Sequence, residues 1–429
     1  MEEKKKMLII IIVGIVFCIL FNWTLSFTSL DEGRNASATR TMMETKNFIV
    51  PYYNCTERFE KPPMLYWVGS VSGTIFGINE FSFRLVSGIS GILVAIVTYL
   101  IAKDLFNEEI GFRASLILIA TPHFWVESRA YVPEMLLVLF MCLSMFYMIR
   151  ERFVYSWLTT GSAFLTKGPV SLLAPITYLI NTRNRKLLNL KGILIFILVG
   201  ISWYVIMLLK FGYRYFYKFF LFEQAYRFLG VRKLQPLPPY FFILLILVNF
   251  VIYIPKIKNI FLESKKVFNN PKTRIIIIWA LFTTLFYSLS KNKLHHYILF
   301  AYPAFSILIA LGIDNRYLKK ALTIYSMLFI ITAILAIKYE QMRFVPKAEN
   351  IVKIYKGNVY FYRTENSAIV FYSKRCISKM EDTENPKEGL IITKKKYLDR
   401  FGNCTLITKG KEIPDELVLL DCKVKEEVK

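Results

Sequence analysis

Residues 7–21 read MLIIIIVGIVFCILF, an apolar run without one charge, and runs of the same texture return at 192–209 and 240–254. Each comes close to the roughly 20 apolar residues that cross a hydrocarbon core. The 429-residue chain is 55% hydrophobic and 16% aromatic, above the roughly 45–50% apolar usage of soluble domains. The excess is gathered in blocks, so the chain is expected to be a mostly α-helical, polytopic membrane protein. Lys4, Lys5 and Lys6 precede the first run like the n-region of a signal peptide. The run is long and no small-x-small cleavage site follows it, so it is read as a span.

Working outward, the pattern gives about 11 spans, near 7–27, 81–102, 111–127, 131–149, 154–166, 168–181, 192–210, 238–255, 274–290, 295–312 and 319–338. The segments 154–166 and 168–181 are short and call for tilt or a re-entrant pair. Lysines and arginines outnumber acids 55 to 31, a net charge of +24. In a soluble chain that excess points to nucleic acid; here it falls in alternate loops, as at Lys103, Arg150, Arg185 and Lys258. That is the positive-inside pattern, and no nucleic-acid partner is expected. With the N-terminus inside, an odd number of spans places the C-terminus outside.

Two outer segments are long, 28–80 and 211–237. The first is expected to hold a short amphipathic helix over GRNASATRTMMETKNF and an apolar helix from Pro63 that lies at the membrane interface. Residues 1–338 form the membrane domain. Residues 339–429 change in composition, with β-type runs VYFY, GLIIT, CTLIT and LVLL, and read as a small extracytoplasmic α/β domain. Cys55, Cys376, Cys404 and Cys422 lie in polar segments and no CxxC occurs. An oxidising compartment would allow a disulfide within the tail, with the pairing left open.

The chemistry-bearing residues gather on the outer side. Asp31 and Glu32 stand just past the first span, followed by Arg34 and then Glu60-Lys61. Acids and bases at a membrane surface suit a site that takes a proton from one substrate and holds the phosphate of another. Glu134 begins an apolar span, and ionisable groups there are usually functional. Lys167, Arg227, Lys291 and Lys293 violate the charge pattern that the inner loops obey; a phosphate-bearing lipid on that face would explain them. His295 and His296 are adjacent and point in different directions on a helix, so no shared metal is read there.

These residues carry a resemblance. The stretch 31–85, DEGRNASATRTMMETKNFIVPYYNCTERFEKPPMLYWVGSVSGTIFGINEFSFRL, with FLTKGPV at 164–170 and FYSLSKNKLHHYILFAYPA at 286–304, resembles membrane glycosyltransferases of the GT-C class. It is most similar to the lipid A aminoarabinose transferases and the dolichyl-phosphate-mannose protein mannosyltransferases. The resemblance implies a GT-C fold and inverting transfer of a sugar from a polyprenyl-phosphate donor on the extracytoplasmic face. The acceptor is a glycolipid, a glycan or a protein. By motif position it implies Asp31, Glu32 and Glu134 as catalytic acids. It implies Arg34, Lys61, Lys167, Arg227 and Lys293 as donor-phosphate ligands, and Glu60, His296 and Tyr297 as support. No cofactor is expected to be required; a divalent metal is compatible with the chemistry, but no cluster in the sequence demands one. Asn35 and Gln224 depart from the family's common residues, which bears on acceptor and sugar more than on reaction class. A flippase of lipid-linked sugars would also need a cavity and cations; inverted repeats would mark it, and the sequence shows no internal repeat.

Overall fold

The first apolar run folds as a helix, α1 (Glu3–Gly14), which continues as a wider turn to Ile19 and stops there. The sequence pattern carries the span to residue 27. The difference has a local cause. Arg84 takes the carbonyls of Asn22, Leu25 and Ser26 as hydrogen-bond acceptors, so this backbone is satisfied without being helical. The computed structural model describes residues 2–231, 237–271, 273–382 and 387–422.

Every other expected segment also carries a helix. After α2 (Leu30–Thr45) and α3 (Met64–Phe76) come α4 (Glu80–Leu105), α5 (Glu108–Ala120), α6 (Pro122–Ser128), α7 (Pro133–Ile149), α8 (Phe153–Lys167) and α9 (Leu173–Thr182). Asn79 and Ser82 close a capping box at the start of α4. Prolines 122 and 133 open α6 and α7, where a missing N–H costs nothing. The two are bent by 110°. Among the described residues three helices are long and apolar enough to cross a membrane alone: Glu80–Leu105, Leu190–Leu229 and Asn315–Met342. The count is five if each of two bent pairs is one span, and the remaining apolar segments are shorter helices. Only 17% of the most apolar stretch of Asn315–Met342 is buried, and Leu209 and Leu289 are 83% and 76% exposed. Apolar surface this extensive calls for lipid around it; the chain is an integral membrane protein.

The helix Asn315–Met342 runs past residue 338, and the tail follows it. Besides a small hairpin in the first outer loop, β1 (Tyr52–Tyr53) with β2 (Thr56–Glu57), the strands are β3 (Val359–Tyr362), β4 (Ser378–Met380), β5 (Gly389–Lys394), β6 (Thr405–Glu412) and β7 (Asp415–Cys422). Their order is β4-β3-β5-β7-β6, with β4, β3 and β5 parallel and β7 antiparallel to its neighbours. Residues 383–386 and 423–429 of the expected tail domain, and 232–236 of the second outer segment, lie outside the described residues.

The tail does not stand apart. One face of its sheet, with Phe361, Leu390 and Leu419, shares a core with Ala36, Met42 and Phe83 of the membrane-proximal layer. The contact runs through α2, the helix expected as short and amphipathic, which is buried on most of its surface. Gly33 permits it: a Cβ there would fall 2.6 Å from the Ser367 carbonyl carbon. Two disulfides are present, Cys404–Cys422 within the tail and Cys55–Cys376 between the hairpin and the tail.

Beneath α2, Glu32 is 1% exposed and paired with Arg84 of α4 at 2.7 and 3.0 Å. Its carboxylate also accepts from the amides of Thr28 and Tyr131. Burial alone would raise the Glu32 carboxyl; Arg84 and these amides outweigh it and hold it below its usual range. Removing one partner leaves the other charged and unpaired in the interior, at a cost of about 3–5 kcal/mol. Glu32→Gln is therefore expected to lower the thermal unfolding midpoint of the detergent-purified protein markedly. An unchanged midpoint would show that the pair is not a keystone.

Candidate active site

α2 delivers Asp31 to its open end because Ser29 caps the helix, its hydroxyl accepting from the amide of Glu32 at 3.1 Å. Asp31 and Glu32 therefore diverge. Glu32 turns inward to Arg84, whereas Asp31 lines a polar cavity of about 910 Å³. The expectation of a catalytic acid pair is corrected: both Glu32 oxygens are consumed by Arg84, Thr28 and Tyr131.

Around Asp31 the cavity wall carries Arg34, Arg58, Glu60, Lys61, Lys218 and Arg227. Burial raises the Asp31 carboxyl, but the charges of Lys61 and Arg58 outweigh it and hold the group below its ordinary value. Arg58 is buried, donates to Asn35 at 3.1 Å and lies 4.0 Å from Glu60. Lys218 lies 3.7 Å from the other Glu60 oxygen. Lys61 makes no hydrogen bond or ion pair among the described residues, so its ammonium remains available to a ligand.

The tail supplies the opposite wall. Glu365 accepts from Arg34 at 2.8 and 3.0 Å and from the Tyr53 hydroxyl at 3.0 Å, and pairs with Lys379 at 3.2 Å. Burial raises the Glu365 carboxyl; Arg34 and Lys379 overcome this and hold it low. Cys376 of the inter-segment disulfide lies on the same wall.

A second cluster sits beside the first. Lys167, at the end of α8, reaches Glu134 at 2.7 Å, and the Nε2 of His296 lies 3.3 Å from the same carboxylate oxygen. Lys167 also stands over the Tyr297 ring, 5.1 Å from its centroid, a cation–π contact. Gly168 lets the chain turn here with φ of +86°. Glu134 thus faces cations rather than lipid. The Asp31 carboxyl senses the charges of both Glu134 and His296, so the two clusters are electrostatic neighbours.

Below the polar cavity opens an apolar groove of about 550 Å³, walled by Leu172, Leu173, Ile176, Phe220, Phe228 and Phe286 among others. Lys167 and Tyr297 stand on its rim. Glu223 and Arg227 belong to both spaces, 3.8 Å apart. A charged cavity and an apolar groove that share an arginine are what an amphiphile with an anionic head requires.

Of the residues singled out by sequence, Asp31, Arg34, Glu60, Lys61 and Arg227 converge on the cavity, and Glu134, Lys167, His296 and Tyr297 on the adjoining cluster. Lys293 joins neither. It is 3% exposed and gives its ammonium to the Ser290 carbonyl, so the phosphate-ligand expectation for it is corrected. Sequence reasoning missed Arg58, Lys218, Glu223, Glu365 and Lys379. Arg58, two residues before Glu60, offered a signal; Glu365 and Lys379 offered none, because the tail's docking brings them in.

Comparison with known proteins finds similar sequences and folds. Residues 60–209 match the family model described as dolichyl-phosphate-mannose-protein mannosyltransferase. Over 97% of its length the chain is 47% identical to an uncharacterized protein of Aquifex aeolicus (strain VF5), covering 99% of that protein. It is 30% identical over 73% of its length to undecaprenyl phosphate-alpha-4-amino-4-deoxy-L-arabinose arabinosyl transferase 2 of Proteus mirabilis (strain HI4320). It spans 61% of that enzyme. The crystal structure of ArnT from Cupriavidus metallidurans bound to undecaprenyl phosphate superposes with a TM-score of 0.81 at 17% identity, over 97% of this chain and 98% of that one. The chain has the GT-C fold and is similar to the aminoarabinose transferases and the protein mannosyltransferases. The GT-C fold expected from the motifs is the fold found, and the tail is part of it: the superposition extends over nearly the whole chain.

In this GT-C protein the Arg34–Glu365 contact ties the tail to the cavity and is expected to depend on pH. The Glu365 carboxyl is held low when folded, so its stabilisation is present above the ordinary glutamate value, about 4.3, and is lost as pH falls through the lower folded value. Protection of the helix Ser367–Ser373 in hydrogen exchange should persist from neutral pH to about 4.3 and fall below it. Glu365→Gln should weaken that protection at neutral pH and flatten its pH dependence. Equal profiles for the two proteins would remove Glu365 from the latch.

Proposed function

We propose that the chain transfers a sugar from a polyprenyl-phosphate carrier to an acceptor on the extracytoplasmic side of the membrane, inverting the anomeric centre. The observation that carries this reading is the junction of polar cavity and apolar groove at Arg227 and Glu223. The prenyl chain lies in the groove, and its phosphate meets Arg227 and the free ammonium of Lys61. The printed names of the Proteus and Cupriavidus proteins, which refer to undecaprenyl phosphate, support the same class of donor. The two disulfides support the side, because such bonds persist in oxidising compartments.

In the proposed reaction an acceptor oxygen attacks the anomeric carbon from the face opposite the phosphate. The carbon–oxygen bond to the phosphate breaks, its electrons leave with the polyprenyl phosphate, and the acceptor proton passes to Asp31. Lys61 and Arg227 stabilise the charge that grows on the departing phosphate. Glu134 is held by Lys167 and His296 and is assigned to orienting Lys167 at the groove's rim. Glu32 and Lys293 take no part. The acceptor is a glycolipid, glycan or protein, whose access is framed by the tail wall at Glu365 and Lys379.

Asp31 and Lys61 should separate experimentally. A general base supplies typically 10²–10⁴-fold. Asp31→Asn should lose turnover on that order while still binding prenyl phosphate. Lys61→Ala should weaken prenyl-phosphate binding and slow transfer together, because charge on that phosphate rises as the bond breaks. A labelled prenyl-phosphate sugar assay, scored by acceptor-dependent release of free prenyl phosphate, reads both. Full transfer by Asp31→Asn would end the catalytic assignment. Prenyl phosphate that never appears, with intact donor moved across the membrane, would favour a flippase.

A further inference from the structure

The chain contains three histidines, His123 and the adjacent pair His295 and His296, and the fold brings His123 to the pair. His296 serves Glu134. The other two turn toward each other on the far side of that turn. His123 Nε2 lies 3.1 Å from His295 Nδ1. Glu127 Oε1 lies 3.6 Å from the former and 3.1 Å from the latter. Three lone-pair-bearing atoms therefore converge on one point.

Their spacing suits a metal ion. A tetrahedral zinc with bonds of about 2.0–2.2 Å to nitrogen and oxygen has edges of about 3.3 Å, and the three observed separations straddle that value. His123 and Glu127 are four apart on α6, which places them on one helix face. The Glu127 side chain is 7% exposed and the His123 side chain 9%, whereas that of His295 is 56% exposed, leaving the fourth tetrahedral position open outward. The other nitrogen of His123 has a partner too: Nδ1 lies 2.8 Å from the Tyr302 hydroxyl, and the His123 amide donates to Asn249. A metal-bound histidine almost always has its second nitrogen held in this way.

We propose that His123, Glu127 and His295 form a binding site for one divalent transition-metal ion of the zinc class, with Tyr302 orienting His123. Two imidazoles and a carboxylate suit that class better than magnesium or calcium, which take oxygen ligands. The ion ties α6 to the turn whose next residue, His296, holds Glu134. It neutralises a buried carboxylate without requiring a proton on either ring.

The test uses the full chain purified in detergent without a polyhistidine tag, stripped with a chelator and titrated with cobalt(II). One equivalent should bind per chain, with the visible d–d absorption of a tetrahedral site. Glu127→Gln and His295→Ala should abolish that absorption. Because the His295 side chain is largely exposed, its loss should leave folding intact, as size exclusion and circular dichroism would verify. Tyr302→Phe should retain the site but weaken it about 10–100-fold, as loss of such an outer partner does. Absence of stoichiometric binding by the wild type would overturn the proposal. So would equal binding by the wild type and the two ligand variants, which would mark an adventitious ion only.

Discussion

The architecture hangs on a guanidinium. Arg84, inside α4, collects the carbonyls of Asn22, Leu25 and Ser26 and forks onto Glu32. An arginine there without partners would be ruinously unfavourable, and a carboxylate without it equally so. Together they hold the chain between Ile19 and α2 in a fixed non-helical path. Everything built on α2 inherits that geometry. Asp31 points into the cavity because Glu32, its neighbour, is committed to the interior.

On that base α2 serves as a floor for the tail. Small residues along it, Gly33, Ala36 and Ala38, allow the helix Ser367–Ser373 to approach closely. The Cys55–Cys376 bond and the Arg34–Glu365 pair then close the cavity from above. The tail thereby becomes a wall of the site as well as its cover, and two of its charged side chains face the space where an acceptor would sit. A cavity assembled from an outer loop and a tail can change its acceptor by changing the tail while keeping the groove below.

The groove and cavity meet near the end of the helix Leu190–Leu229, which carries Glu223 and Arg227. Apolar walls below and cations above sort an amphiphile along a single axis, so chain and head are placed by different forces. Burial of apolar surface holds the chain. Charge-assisted contacts hold the head. In the proposed reaction, neither alone would fix the reacting carbon relative to Asp31.

Membrane residence, helical content, the long outer loop and the acids and cations around Asp31, Lys61, Glu134, Lys167 and Arg227 were legible in the sequence. Each is announced locally, by an uncharged run, by a charge on the unexpected side, or by a motif. Partnerships are not local. Sequence places Asp31 beside Glu32 and Lys293 beside the histidines, yet only packing decides that Glu32 belongs to Arg84 and that Lys293 folds back on Ser290. The end of α1 is not local either, since it is imposed by an arginine 65 residues beyond Ile19. Glu365, Lys379 and the Cys55–Cys376 bond became visible only once the tail had docked. The same holds for His123, Glu127 and His295: two lie on α6 and one beyond the second outer segment, and no spacing in the chain announces that their ligand atoms meet. Residue type and hydrophobic pattern determine what a segment can be. Which charges neutralise one another is settled by long-range contact, because a buried charge is stable only where the fold supplies its partner.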